Sequence, residues 1–309
     1  MSSKRPRLSA ERPAPLAFAD VKPILIRLER IADSVVVVGG QAVNFWAELY
    51  APRVPTIERE APFTSKDIDF CGDVRAVRIC AERLAGTSRI ATMDDVTPNT
   101  GVVTFADDAG VKRTIDFLDA PLGLRAEEVH RMAIPAEILD AAGKPAGPPF
   151  RIMHPVQVME SRVHNAMTLP GYDSPAALKQ LRLSVICARE FIRDMIDSDR
   201  FRVALTLNER VFTFCLKDRD GREVHAKHGV DPFDAVITDD DRLPARFRDT
   251  RYPQMQRELT LRRARRRATG LEGPQLKTAD RIGADEIERQ LRDSLESVRA
   301  KRKPKKPRP

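Results

Sequence analysis

The pattern of apolar and polar positions divides the chain into a first half of alternating strands and helices and a second half of long helices. The β-branched run over 34–38 predicts a fully buried central strand, and apolar residues at helical spacing over 41–51 predict a helix after it. Further apolar runs predict strands at 67–71, 88–92, 101–106 and 112–118, with a helix over 74–84. This order predicts an α/β fold, a mixed sheet flanked by helices.

The character of the sequence changes near residue 150. Residues 155–169 and 174–197 are strongly helical in pattern, the second with a broad apolar stripe, and the sequence also predicts helices over 201–217 and 244–268. We therefore predict a disordered basic N-terminus (1–15), an α/β domain (16–150), a helical C-terminal domain (151–268) and a mostly flexible segment ending in a basic tail (269–309).

The net charge of +8 over 309 residues is concentrated in three short segments. Residues 1–12 carry +3, residues 251–267 carry +6 and residues 297–309 carry +7, which leaves −8 for the rest of the chain. The body is therefore acidic, and the basic segments favour peripheral attraction to polyanions over a basic binding cleft.

The composition excludes several classes of protein. No apolar run approaches the roughly 20 residues that span a bilayer, and the N-terminus lacks the apolar stretch of a secretory signal. The four cysteines have no metal-binding spacing, which favours reduced thiols. We expect a cytoplasmic protein with no membrane partner.

Three acidic residues lie within apolar, strand-forming sequence, where an unpaired carboxylate would be costly to bury. Asp67 and Asp69 are two residues apart, so on a strand both side chains point to the same face. Asp116, on a later predicted strand, would complete a three-carboxylate site for a hard divalent cation. Asp119 is the alternative third acid, and its place at the strand end favours a solvated cap.

Gly39 and Gly40 lie where the central strand gives way to the helix. Backbone N–H groups at such a junction suit a phosphate, although a tight turn is the simpler explanation of two glycines. Together with three carboxylates, the pair indicates phosphoryl or nucleotidyl transfer.

These motifs, in this order, resemble the DNA polymerase beta-type nucleotidyltransferase superfamily. The stretches Val38-Gly39-Gly40-Gln41-Ala42-Val43 and Thr64-Ser65-Lys66-Asp67-Ile68-Asp69-Phe70 are most similar to the abortive-infection, type IV toxin-like group. The resemblance covers about residues 34–120, and makes 16–150 the nucleotidyltransferase catalytic domain. The group's later Arg-Asp or Lys-Asp pair is not recognisable in Lys179-Gln180-Leu181-Arg182.

The resemblance implies a Mg²⁺-dependent enzyme that moves an NMP from an NTP to a hydroxyl acceptor and releases pyrophosphate. Asp67, Asp69 and Asp116 would be the catalytic residues and would hold two Mg²⁺ ions. Gly39, Gly40, Lys66 and Arg162 would bind the nucleotide, and the arginine fork suits the outer phosphates.

The residues leave the acceptor open among RNA, including tRNA, protein and small molecules. The resemblance implies the toxin of a toxin–antitoxin or phage-defence pair, with an antitoxin as partner. A non-catalytic member that binds nucleotide or RNA is the alternative, and an antibiotic-modifying nucleotidyltransferase is a further one.

Overall fold

The computed structural model describes residues 14–92, 94–95, 99–140 and 142–268. It divides into two compact units, of which the first ends at Phe191 and the second begins at Ile192. Most of the predicted N-terminal segment (1–15) and the whole predicted flexible segment (269–309) lie outside the described residues.

A seven-stranded mixed sheet organises the first unit. Its strands are β1 (Val36–Val38), β2 (Ile68–Cys71), β3 (Thr87–Ile90), β4 (Asn99–Ala106), β5 (Lys112–Leu118), β6 (Ile134–Ala136) and β7 (Phe150–Ile152). They lie in the order β3-β4-β5-β2-β1-β7-β6. The β2–β5 and β1–β7 pairs are parallel and the other pairs are antiparallel.

Seven α-helices accompany this sheet among the described residues. They are α1 (Phe18–Arg27), α2 (Gly39–Tyr50), α3 (Pro55–Glu58), α4 (Val74–Arg83), α5 (Ala126–Met132), α6 (Pro155–Thr168) and α7 (Pro175–Asp197), the last of which runs on into the second unit. Short 3₁₀ turns follow α1 and α2.

The core of the first unit forms around the central strand. All three valines of β1 are fully buried, as expected for a strand that has neighbours on both sides and helices above it. Trp46 of α2 donates its indole N–H to Met153 O at 2.9 Å and packs edge-on against Phe191 of α7, with ring centroids 5.8 Å apart. The core therefore joins the sheet to helices on the far side of residue 150.

The predicted fold class is confirmed: a mixed sheet with flanking helices is followed by a helical C-terminal region. The change of character near residue 150 marks the end of the sheet. The compact unit itself continues to Phe191, because α6 contacts α2 and Phe191 of α7 packs against Trp46 of α2.

The elements that the sequence pattern did not predict include β6, β7, α5 and the later helix Arg219–His228. The two strands have three residues each, too few to show an alternation, and β7 follows a stretch rich in glycine and proline. The two helices are short and polar, so no apolar stripe announces them.

The second unit is helical in its described part. After the end of α7 it contains α8 (Phe201–Lys217), α9 (Arg219–His228), a 3₁₀ turn at Pro232–Ala235, a π-helical turn at Phe247–Arg251 and α10 (Tyr252–Ala268). Buried Asn208 of α8 exchanges two hydrogen bonds with the backbone of Ile237, at 3.2 and 3.0 Å. Arg263 of α10 forms a two-pronged ion pair with Asp231, at 2.7 and 2.8 Å.

All four cysteines are buried free thiols, as the sequence predicts. Among the described residues, no helix combines the length and the apolar character needed to cross a membrane.

Candidate active site

Two of the predicted acids face each other on adjacent strands. Strands β2 and β5 pair in parallel, and the register places Asp69 directly beside Asp116. Because paired residues of neighbouring strands point to the same face of a sheet, both carboxylates lie on one side, one strand spacing apart. The sequence could place each acid on a strand, but only the pairing of these strands brings them together.

Asp67 lies on the exposed bend that leads into β2. Its negative charge raises the pKa of both Asp69 and Asp116, so the three carboxylates share one electrostatic environment. The predicted Asp67–Cys71 strand begins one residue later, at Ile68. Asp67 therefore lies outside the strand, and the alternation of side chains along β2 does not determine which way it points. Asp119, the alternative third acid, is exposed beyond the end of β5.

The two glycines lie against Asp69. Strand β1 ends at Val38, which pairs with Asp69, and α2 begins at Gly39 without a side-chain cap. Gly39 has φ +64°, and a Cβ atom there would overlap the Asp69 carboxylate, so the residue must be glycine on both counts. The Gly40 N–H donates to that carboxylate, which therefore caps the helix from the next strand.

The electrostatics of this cluster are unfavourable without a cation. The pKa of Asp69 is raised to about 7, chiefly by burial and also by the charges of Asp116 and Asp67, although Arg162 and the Gly40 N–H oppose the shift. Burial also raises the pKa of Asp116, with a second contribution from Asp67. Three acids at one end of the sheet thus repel one another, and a divalent cation would relieve that repulsion.

Arg162 provides a buried positive charge beside the acids. Helix α6 carries it, and its side chain is only 8% exposed. Its Nη1 donates to Gln180 Oε1 at 3.2 Å, and its guanidinium lies 5.8 Å from the centre of the Tyr172 ring. Burial lowers the pKa of Arg162, whereas Tyr172 and Asp69 raise it. Its Nε is buried and finds no acceptor among the described residues.

Lys66, the other predicted basic ligand, is exposed on the bend before Asp67. Within the described part of the chain, its side chain makes no hydrogen bond or ion pair. The structure thus brings Asp67, Asp69, Asp116, Gly39, Gly40 and Arg162 together, and leaves Lys66 at the rim beside Asp67.

Gln180 was missed by the sequence reasoning, although it bonds to Arg162. A glutamine on a helix has no distinctive pattern, so composition and periodicity give no signal. The one available signal was its position, in the stretch 179–182 where the resemblance implies a further charged pair.

The stretch between α2 and β2 is joined to the N-terminal segment and approaches the start of α2. A 3₁₀ turn at Ala51–Arg53 and α3 lie in this stretch, which then reaches Ser65, and Ser65 exchanges backbone hydrogen bonds with Leu16 at 2.8 and 2.9 Å. The Ser65 hydroxyl lies directly against Gly40, where a Cβ atom would overlap it.

Comparisons with known proteins give distant matches to solved structures. The antibiotic-resistance factor ANT(2″)-Ia, known from a solution structure, is 17% identical with a TM-score of 0.33, and the match covers 62% of this chain and 97% of that one. The crystal structure of JHP933 from Helicobacter pylori is 12% identical with a TM-score of 0.31, over 91% of this chain and 97% of that one.

No protein-family model matches the chain, and no curated protein matches it. The first unit is of the mixed α/β class that the sequence predicts, a seven-stranded sheet with flanking helices.

Proposed function

We propose that this protein is a Mg²⁺-dependent nucleotidyltransferase that moves an NMP from an NTP to a hydroxyl acceptor. The observation that carries the proposal is the parallel pairing of Asp69 with Asp116, beside the Gly39–Gly40 start of a helix and within the field of Asp67. Carboxylate oxygens are the ligands that Mg²⁺ prefers, and helix N-termini bind phosphate.

The residues present fit the cation. Burial and mutual repulsion raise the pKa of both Asp69 and Asp116, so a cation beside them would stabilise their charged forms, and all three proposed ligands are carboxylates. Asp67, Asp69 and Asp116 would hold the metal. Bound there, Mg²⁺ ions would supply positive charge to the phosphates and would acidify an attacking hydroxyl.

The side chains and backbone around the acids have complementary roles. Asp116, on the strand next to Asp69, would orient the acceptor hydroxyl and accept its proton. Backbone amides at the start of α2 would donate hydrogen bonds to phosphate oxygens. The Gly40 N–H, which donates to Asp69 in the free protein, would donate to a phosphate oxygen instead once a cation neutralises that carboxylate. Arg162 would bind the outer phosphates through its unpartnered Nε, and Lys66 would contact them from the rim.

Label transfer tests the proposal. Purified protein with Mg²⁺ and NTPs labelled at the α-phosphate should transfer label to an acceptor in cell extract, and EDTA should prevent it. Asp69→Asn should lower the rate at least about a thousandfold, because loss of a metal ligand removes transition-state charge stabilisation. Asp119→Asn, an exposed acid beyond the same sheet, should retain the rate.

Separating the labelled material into RNA, protein and small molecules identifies the acceptor class. Label in RNA would agree with a toxin of the abortive-infection type, and label in an added antibiotic would indicate a resistance enzyme. Full transfer by Asp69→Asn would contradict the proposed function, and so would the lack of any labelled acceptor together with the lack of NTP binding. NTP binding without transfer would favour the non-catalytic nucleotide-binding alternative.

A further inference from the structure

Gln180 connects parts of the site that are distant in sequence. It is a half-buried residue near the start of α7, and both ends of its side-chain amide are used. Its Oε1 accepts from Arg162 Nη1 at 3.2 Å, and its Nε2 donates to the backbone oxygen of Thr64 at 3.4 Å. Thr64 lies three residues before Asp67, so the amide links the buried Arg162 guanidinium to the segment that carries Asp67 and Asp69.

The same amide lies against the start of α2. A Cβ atom on Gly40 would be 3.0 Å from Gln180 Nε2, so a side chain at residue 40 would crowd the amide. Gln180 therefore bonds to α6 through Arg162 and to the approach to β2 through Thr64, and its amide lies close to the N-terminus of α2.

Arg162 needs such a partner because its surroundings otherwise pull it towards Asp69. The two side chains attract each other electrostatically, yet among the described residues they form no ion pair within hydrogen-bonding reach. Gln180 is the one hydrogen-bond acceptor of the guanidinium in the described part of the chain. A guanidinium released from it would be free to pair with Asp69 and so to compete with a cation for that carboxylate.

We propose that Gln180 is a positioning residue, which holds the Arg162 guanidinium apart from Asp69 and presents its unpartnered Nε–H to a phosphate of the nucleotide. This inference rests on the proposed function, because it assigns a triphosphate to the anion that Arg162 binds. It differs from a packing role, because the effect on the phosphate is carried by one of the two hydrogen bonds of the amide, the bond from Arg162 Nη1 to Gln180 Oε1.

Two neighbours of Gln180 provide the matched control. Lys179 Nζ donates to Pro62 O at 3.1 Å, and Arg182 forms an ion pair with Glu60 at 3.7 Å. Both contacts hold residues 60–64 against α7, as the bond from Gln180 to Thr64 does, but neither involves Arg162. Loss of either contact therefore measures the effect of this attachment without any effect on Arg162.

The test is a double-mutant cycle read out by binding of inorganic triphosphate with Mg²⁺, measured by calorimetry. Gln180→Met keeps the length of the side chain and removes both polar ends, and should weaken binding about tenfold, the scale of a hydrogen bond to a charged group. Arg162→Met should weaken it at least as much. The double variant should bind no more weakly than Arg162→Met alone, because Gln180 acts only through Arg162.

Lys179→Met should bind triphosphate within about twofold of the wild type, because it removes a hydrogen bond between α7 and the same stretch of chain and leaves the Arg162 guanidinium unchanged. If Gln180→Met does not fold, Gln180→Asn, which keeps an amide but shortens its reach, should show the same loss. Wild-type affinity in the Gln180 variants, additive losses in the double variant, or an equal loss in Lys179→Met would each overturn the positioning role.

The outcomes also separate this inference from the proposed function. If the wild type binds and Arg162→Met is weakened while Gln180→Met is not, only the role of Gln180 falls. If wild-type protein with Mg²⁺ binds no triphosphate, the nucleotide-binding function is contradicted and the inference falls with it.

Discussion

Asp69 is the residue on which the site depends most closely. It pairs with Val38 on one side and with Asp116 on the other, and its carboxylate accepts from the Gly40 N–H. Burial and two neighbouring acids work against its ionisation, while one amide and the charge of Arg162 support it. The free protein therefore loses stability by keeping this carboxylate charged, which is the usual price of a preformed cation site.

A pH dependence follows from the sign of that shift. The pKa of Asp69 is raised from 3.8 to about 7 in the folded protein, so the native state binds the proton more tightly than the unfolded state does. The stabilisation is complete below about pH 4 and is lost as the pH rises through 7. In EDTA, the unfolding midpoint of the wild type should fall between pH 5 and pH 8 by about 4–8 °C more than that of Asp69→Asn.

Thermal unfolding of both proteins at the two pH values measures this difference. Added Mg²⁺ should restore the wild-type midpoint at pH 8 and should raise that of Asp69→Asn much less, because the variant has lost one of the three carboxylates that would bind the cation. Parallel pH profiles of the two proteins would show that Asp69 is not held in an unfavourable charged state.

At the scale of single residues, the sequence predicted the acids of the site and did not predict the role of Gln180. A carboxylate within an apolar strand stands out because its burial needs a reason, and Asp69 and Asp116 both lie in such runs. Gln180 carries no charge and sits on an ordinary amphipathic helix. Its role depends on a contact between residues 18 positions apart on different helices, which no local pattern encodes.

The junction of β1 and α2 is the element that shapes the site. The sequence predicts a helix from Gln41, whereas α2 begins at Gly39, so the two glycines form the first turn. That turn has no side-chain cap of its own, and its Gly40 N–H bonds to Asp69 on the adjacent strand. The end of β1, the first turn of α2 and the Asp69 carboxylate are thus in direct contact.

Replacing Gly39 tests whether the site needs the close approach of this residue to the Asp69 carboxylate. Gly39→Ala places a side chain at φ +64° and also forces it into the Asp69 carboxylate, so the cost is strain plus displacement of a site residue. Gly110→Ala is the matched control, because Gly110 has φ +76° with nothing within 4 Å of the added atom. The control should lose about 1–2 kcal/mol of unfolding free energy, and Gly39→Ala about 3 kcal/mol or more.

Chemical denaturation gives both values. Gly39→Ala should in addition abolish label transfer, while Gly110→Ala should retain it. Equal losses of stability in the two variants, with transfer preserved, would mean that Asp69 can move aside and that the close approach at Gly39 has no functional consequence.

Elements with strong periodicity were predictable, and short ones were not. The predicted β5 (112–118) and α8 (201–217) have the observed limits, because each is a long run of one period. Strand β7 consists of three residues, yet it lies beside β1 at the centre of the sheet. Its place is decided by tertiary pairing with β1, which overrides the weak local signal.

On the scale of the whole molecule, the sheet and the helices α1–α6 form one unit with the candidate site inside it. Helix α7 carries Gln180 in its first turns and ends in the second unit, whose described helices are held by buried Asn208 and by the Arg263–Asp231 ion pair. The segment 269–309, with its basic tail, lies outside the described residues, and its attraction to polyanions stays a prediction from charge.

The central claim is that Asp67, Asp69 and Asp116 together form one site that binds two divalent cations. Binding of Mn²⁺, a spectroscopic substitute for Mg²⁺, tests it most directly when free Mn²⁺ is counted by its paramagnetic resonance signal. The wild type with an NTP analogue should bind about two ions, Asp116→Asn should bind them at least about tenfold more weakly, and Asp119→Asn should match the wild type. Equal binding by Asp116→Asn and Asp119→Asn, or no saturable binding by the wild type, would contradict the account.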